Sequence, residues 1–308
     1  MNNRLFDFSP VERKAIERVK DAYRFNKHIG MHDKLLLAFS GGKDSVCLYH
    51  VCELASQELG VDFDDAFYCQ YNVTNIDPPE LVRFIRNEYP KVHFHHPKIT
   101  FWKLLEKKRM LPTQMVRFCC QEMKGISRFE GGYTLTGVRK AESVKRSKRE
   151  SFEALGKRKE NKILLNDNGE DRRESEFCMQ KRTYVCNPLI DWSESDVWNF
   201  IRDENLKYCK LYDEGFKRLG CIGCPMATRK ERIHEFERWE GYKKQYLRCC
   251  DKLVQSYKAN GDKGAKLFND GQDMFDWWMR DPAYARRHPE LAEEDNPLFD
   301  MDEDMDLV

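Results

Sequence analysis

Two sets of residues in this chain have the types and spacing to do chemistry. The first is Cys119-Cys120 together with Cys221-Ile222-Gly223-Cys224, about a hundred residues downstream. A C-x-x-C turn aims two thiolates at one centre, and a second pair from elsewhere completes a four-sulfur set. Structural zinc and an iron–sulfur cluster both accept four cysteines, so the count leaves both open. The second set is Ser40-Gly41-Gly42-Lys43-Asp44-Ser45. Glycines let the backbone turn sharply and bring free N–H groups up to phosphate oxygens, and a helix N-terminus behind them favours an anion. Ser40 and Ser45 can donate hydroxyls and Lys43 can neutralise charge. Asp44 can cap the helix or hold Mg2+. The loop is neither G-x-x-x-x-G-K-[ST] nor G-x-G-x-x-G.

The elements needed to position that loop are legible around it. Lys34 to Phe39 is a short apolar run that suits a central parallel strand covered on both faces. From Asp44 the pattern turns helical, through Val46, Leu48, Tyr49, Cys52, Leu54 and Ala55 to about Gly60. Upstream, residues 10–29 read as an amphipathic helix. Downstream come a strand at 65–71, a helix at 79–88 behind Asp77-Pro78-Pro79, a strand at 92–95 and a helix at 101–107. A strand at 132–137 follows; after a charged stretch, order returns at 184–189, and a helix starts at Ser193. Strands alternating with helices predict an α/β fold with a doubly wound, mostly parallel sheet. Residues 140–183 are a charged excursion with Asn166-Asp167-Asn168-Gly169 as a turn signal, either a hairpin that closes over a ligand or a segment disordered without one. Residues 229–259 read as one long charged, aromatic-rich helix, and an acidic tail closes the chain. The expected domains are therefore 1–228 for nucleotide binding and 229–308 as a helical extension.

Composition narrows the class. The 308 residues carry 53 Lys+Arg against 52 Asp+Glu, which argues against a protein that coats polyanions as a whole. No apolar run is long enough to span a bilayer, and the first 20 residues lack the apolar core of a signal peptide. A cytoplasmic protein is expected, in which twelve cysteines point to metal or redox chemistry rather than disulfides. Cys47, Cys52 and Cys69 fall in apolar patterns and read as packing residues, and Cys249-Cys250 as packed or surface thiols.

Leu36–Leu48 resembles the pyrophosphate loop of the adenine nucleotide alpha-hydrolase-like superfamily. Within it, the chain resembles the phosphoadenosine phosphosulfate reductase family. Gly137-Val138-Arg139 and Glu142-Ser143-Val144-Lys145-Arg146 are similar to the family's Gly-x-Arg…Ser-x-x-Arg substrate segment. Asn187-Pro188-Leu189-Ile190-Asp191-Trp192 and Leu211-Tyr212-Asp213-Glu214-Gly215-Phe216 before Gly220-Cys221 extend the likeness over about residues 30–228. The resemblance implies a Rossmann-like fold, binding of ATP or a related adenine nucleotide by Ser40–Ser45, Gly137, Arg139, Ser143 and Arg146, and catalytic roles for Lys43, Asp44 and Arg139. An arginine fork also suits phosphate or sulfate better than an ammonium does. The cysteine pattern looks like the [4Fe–4S] ligands of adenylylsulfate reductases, which implies Cys119, Cys120, Cys221 and Cys224 as metal ligands. Adjacent residues rarely turn both side chains to one zinc ion, whereas a cubane offers separated iron corners.

The chain also departs from the family. The Glu-Cys-Gly-x-His segment that supplies the reductases' nucleophile has no counterpart after Cys250, and Gln70–Asn75 replaces an Asp-Thr-Gly segment. The intact loop suits ATP, so the first expectation is an ATP pyrophosphatase that adenylates an acceptor, with Mg2+, and is linked to sulfur transfer. The second is a sulfonucleotide reductase using another thiol, such as Cys249 or Cys250. The third is a non-catalytic nucleotide- or nucleic-acid-binding subunit, suggested by Lys145–Arg149 and Lys157-Arg158-Lys159. The acceptor stays open, nucleic acid included, as does assembly as a homo-oligomer or within a larger complex.

Overall fold

The computed structural model describes residues 8–30, 32–124, 132–143, 146–155, 163–165 and 183–280. Among these residues, seven strands form one sheet: β1 (Leu35–Ala38), β2 (Phe67–Asn72), β3 (His93–His95), β4 (Tyr133–Leu135), β5 (Phe152–Leu155), β6 (Ile163–Leu165) and β7 (Thr183–Cys186). Their order is β3-β2-β1-β4-β7-β5-β6. The four pairings from β3 across to β7 are parallel, and β5 is antiparallel to both β7 and β6. This is the expected mostly parallel α/β sheet with flanking helices. The charged excursion contributes the β5–β6 antiparallel pair, with Phe152 opposite Leu165. Lys145, Lys157-Arg158-Lys159, the Asn166–Gly169 turn and the acidic tail lie outside the described residues.

Local chemistry sets the elements that carry the phosphate loop. Leu35, Leu36 and Leu37 are buried between β2 and β4, as a central strand requires. Helix α1 (Pro10–Ile29) starts at a Ser9–Glu12 capping box with proline at its first position, and stops at Gly30. Helix α2 (Lys43–Leu59) stops at Gly60, and buries Val46, Cys47, Leu48, Val51, Cys52 and Ala55. Cys47, Cys52 and Cys69 are packing residues, all within 1% of full burial. The expected strand at 65–71 starts at Phe67 instead, because Asp62 caps a one-turn helix, α3 (Phe63–Ala66), just before it. Helices α4 (Pro79–Glu88), α5 (Phe101–Lys108) and α6 (Phe118–Lys124) follow. Helix α7 (Glu194–Asp203) begins behind a Ser193–Asp196 capping box.

The helix expected over 229–259 is two helices, α8 (Arg229–Arg238) and α9 (Glu240–Asn260). Trp239 breaks it: its φ of −123° and ψ of 65° are not helical, and its indole is buried. The last described helix, α10 (Gly271–Met279), lies within the expected helical extension. Its signals were present in Asp270 as cap and in the spacing of Met274, Phe275, Trp278 and Met279.

Contacts group the chain into two units, one of residues 1–73, 78–96 and 125–220, the other of 74–77, 97–124 and 221–308. Within the second unit, α5 packs on α9. Phe101 and Trp102 meet Tyr246 edge-on at 5.7 and 5.0 Å between centroids. Trp278 Nε1 donates to the Pro112 carbonyl at 2.8 Å. Aromatic side chains of α5, α8, α9 and α10 thus make the core of the second unit.

Candidate functional site

In the first unit, the end of β1 feeds Ser40–Ser45 into the start of α2. Gly41 has φ +73°, and a Cβ there would stand 2.6 Å from Ile85 Cδ1 and 2.7 Å from Leu81 Cδ1. Only glycine takes that turn against α4 without strain. The two serine hydroxyls brace the loop from within. Ser45 Oγ donates to the Gly42 carbonyl at 2.8 Å and accepts from the Ser40 amide at 3.2 Å. Gly42 occupies the N-cap without a side-chain bond, so Asp44 does not cap the helix. Lys43 N–H donates to Tyr212 Oη at 2.9 Å.

The charges of the loop are already paired. Asp44 Oδ1 accepts from Arg139 Nε at 2.6 Å, and Oδ2 from Lys43 Nζ at 3.1 Å. Arg139, only 2% exposed, also donates from Nη2 to Glu194 Oε2 at 2.7 Å and from Nη1 to the Trp192 carbonyl at 3.3 Å. Lys43 Nζ lies 3.5 Å from Glu194 Oε1. Two cations and two carboxylates therefore alternate in a ring. Partial burial works against ionising Glu194, but the Arg139 hydrogen bond and the Lys43 charge hold its carboxyl below the usual value. Each Asp44 oxygen thus accepts from one cation.

Of the other expected residues, Gly137 lets the end of β4 abut α2: a Cβ there would stand 3.1 Å from the Asp44 carbonyl, a tight contact. Ser143 is exposed, and its Oγ accepts from the Arg146 amide at 3.3 Å. Arg146 pairs with Glu142. Burial and then the Arg218 charge lower the Arg146 pKa, opposed by Asp44. Glu194, Tyr212 and Arg218 had no assigned role in the sequence reading. Glu194 stands in the sequence only as the residue after the helix start at Ser193, and nothing local marks its partners.

The cysteines lie in the second unit. The Cys224 amide donates to the Cys221 carbonyl at 3.3 Å, closing a turn in which Gly223 has φ +72°. A Cβ at Gly223 would stand 2.7 Å from Phe236 Cζ. Remote groups hold the turn: Ile222 N–H donates to the Ile76 carbonyl at 2.8 Å, Tyr246 Oη to the Ile222 carbonyl at 2.9 Å, and Gly223 N–H to Glu235 Oε2 at 2.7 Å. Cys221 Sγ donates to Thr74 Oγ1 at 3.5 Å, and Thr74 is fixed in turn by Asp77 at 2.7 and 2.8 Å. Cys119 and Cys120 lie in the first turn of α6. A hydrogen bond with Cys120, then burial and the neighbouring Cys221 and Cys224 thiols, push the Cys119 pKa upward. Among the described residues, no three or more His, Cys, Asp or Glu side chains are gathered as a ready-made metal site. The fit to a metal–sulfur group is in the donor chemistry: four half-buried thiols in one unit, none in a disulfide. Cys249 and Cys250 are buried, which pushes the Cys249 thiol up to about 11 and also raises Cys250.

No helix among the described residues is long and apolar enough to cross a membrane. An uncharacterized protein of Methanocaldococcus jannaschii is 26% identical over 265 residues, 80% of this chain and 56% of its own length. The adenosine 5'-phosphosulfate reductase of Oceanobacillus iheyensis is 28% identical over 172 residues, 54% of this chain and 62% of its own. This chain spans about half the length of the two M. jannaschii relatives it matches. Among solved structures, Candida glabrata FMN adenylyltransferase with FMN and an ATP analogue aligns with a TM-score of 0.43 at 14% identity, covering 68% of this chain and 64% of that one. Residues 34–227 match the phosphoadenosine phosphosulfate reductase domain, and the chain belongs to that family.

Proposed function

We propose that this chain binds ATP at Ser40–Ser45 and adenylates an acceptor with release of pyrophosphate, in a reaction linked to sulfur transfer. The observation that carries this reading is the loop itself: a glycine turn at the end of a buried strand, opening a helix, with Lys43 and Arg139 beside it. The acceptor's nucleophilic oxygen attacks the α-phosphorus, and the bond to the pyrophosphate oxygen breaks. Loop N–H groups and Lys43 hold the charge that develops on pyrophosphate. Arg139 keeps Asp44, and with it the first turn of α2, in register. A sulfide-level donor then displaces AMP from the activated acceptor. Cys119, Cys120, Cys221 and Cys224 would hold a [4Fe–4S] cluster, which when bound supplies a sulfur reservoir or a structural staple.

The regiochemistry of ATP cleavage tests this reading, with water as the default acceptor. The expected products are AMP and pyrophosphate, formed at least about 100-fold more slowly by Lys43→Ala. ADP and phosphate would overturn it. A second reading, reduction of a sulfonucleotide, is favoured by the likeness to adenosine 5'-phosphosulfate reductase. It is opposed by the burial of Cys249 and Cys250, whose raised pKa values make them poor nucleophiles. Sulfite released from adenylyl sulfate would turn the assignment to that reading.

A further inference from the structure

The second unit contains a buried cation whose donors are not all used. Arg232, on α8, is 4% exposed. Its guanidinium lies 3.8 Å from the centroid of the Trp278 ring, and Nη1 donates to the Trp278 carbonyl at 3.0 Å. Nε and Nη2 are buried with no hydrogen-bond partner. Buried charges are normally paired, and a planar fork with two unused donors is unfavourable unless something accepts from them.

The groups around Arg232 are those that hold the Cys221–Cys224 turn. Trp278 stacks on Tyr246 at 4.9 Å and 25°, and Tyr246 bonds the Ile222 carbonyl. Glu235, one helical turn on, takes the Gly223 amide. Phe236 packs on both Tyr246 and Trp278, at 5.4 and 6.4 Å. Burial pulls the guanidinium pKa down to about 10, while Tyr246, Glu235 and Cys224 favour the cation. The guanidinium is thus within electrostatic reach of the Cys224 sulfur, and the aromatic side chains packed on it are those that fix the turn.

We propose that Arg232 is the counter-charge and hydrogen-bond donor for an anionic, thiolate-ligated metal–sulfur group held by Cys119, Cys120, Cys221 and Cys224. It is a positioning residue: it stabilises the more negative state of the group and slows loss of its metal. Hydrogen bonds to sulfur, net charge and burial are the levers by which a protein sets the potential of such a group. The inference rests on the metal–sulfur reading of the four cysteines.

The test uses the full chain, purified without oxygen, as wild type, Arg232→Met and Arg232→Lys. Iron and acid-labile sulfide are counted, iron release to a chelator is timed, and the reduced fraction is followed in a potentiometric titration. Metal-free samples of each are melted alongside. In Arg232→Met, iron release is expected to speed up at least about ten-fold. At a fixed potential the reduced-to-oxidised ratio should fall about ten-fold, or 59 mV for a one-electron couple. Arg232→Lys, which keeps the charge but loses the fork, falls between and carries the test if the Met variant fails to fold. The metal-free variants should lose less thermal stability than the loaded ones. Unchanged iron release and potential, with equal loss of stability in both forms, would leave Arg232 a packing residue and overturn the inference. Wild-type protein without iron and sulfide would instead overturn the metal–sulfur reading, and the inference with it.

Discussion

The phosphate loop and the cysteine turn solve opposite electrostatic problems. In the first unit, two cations and two carboxylates already neutralise one another: Lys43, Arg139, Asp44 and Glu194 form a ring of contacts between 2.6 and 3.5 Å. An incoming polyphosphate must compete with carboxylates for those cations. In the second unit, Arg232 has buried donors with no acceptor, and an incoming anion would complete the arrangement. Each turn depends on a glycine at positive φ, Gly41 at +73° and Gly223 at +72°. Gly41 is flanked by apolar ends of α4 side chains, whereas the Gly223 turn is tied by polar groups from 76, 235 and 246. An anion site that is pre-neutralised is stable when empty and tunable by removing a carboxylate. One that is left positive is sensitive to what fills it.

The largest expected effects come from the two glycines. Gly41→Ala and Gly223→Ala should each destabilise the protein by about 1–3 kcal/mol in urea unfolding, from backbone strain. Contacts of 2.6–2.8 Å at Gly41 and 2.7 Å at Gly223 add to that strain. The first should also abolish ATP binding, and the second should deplete bound metal. Equal damage to both ligands by either substitution would break the comparison, because it would show that neither turn acts locally.

A smaller effect is expected at Glu194. Removing its charge in Glu194→Gln frees Lys43 and Arg139, so pyrophosphate should bind roughly five-fold more tightly, about 1 kcal/mol. Glu194 is more than half exposed, with a side-chain accessibility of 59%, and solvent screening limits the gain. Calorimetry with pyrophosphate reads this directly. Weaker binding would mean that Glu194 positions Arg139 for the ligand and does not compete with it.

The smallest is a pH effect on the first unit. Despite opposition from burial, Glu58 is held below its usual range by Lys20 and Arg13, Asp191 by Arg18 and Lys14, and Glu194 by Arg139 and Lys43. Carboxyls depressed in the folded state stabilise it above their unfolded pKa values, 4.5 for glutamate and 3.8 for aspartate. That contribution is lost as pH falls through the folded values. Chemical denaturation should therefore show stability flat above about pH 5 and declining below it. The Glu194→Gln variant should decline less steeply. A profile identical to wild type would remove Glu194 from the ring as an energetic partner.

The local parts of both sites are legible along the chain. The Ser40–Ser45 loop was visible because a buried strand, a glycine turn and a helical period follow one another within about twenty residues. The C-x-G-C turn was visible in the same way, as were α1 from its amphipathic spacing and the start of α7 at Ser193. What those parts face follows from packing between distant segments. Asp44 was read as a cap or a metal ligand, and became the partner of Arg139, 95 residues away. Arg139 was read as a substrate contact, and its fork is shared by Asp44, Trp192 and Glu194. Trp239 splits a run that its charge and aromatic pattern made look continuous. Thr74, Ile76 and Arg232 carried no motif at all. Periodicity and caps are set by neighbours within a few residues, so they survive in one dimension. Ion pairs, orphaned donors and the glycine turns' tight contacts depend on which distant segments packing brings together, and for these the fold had to be seen.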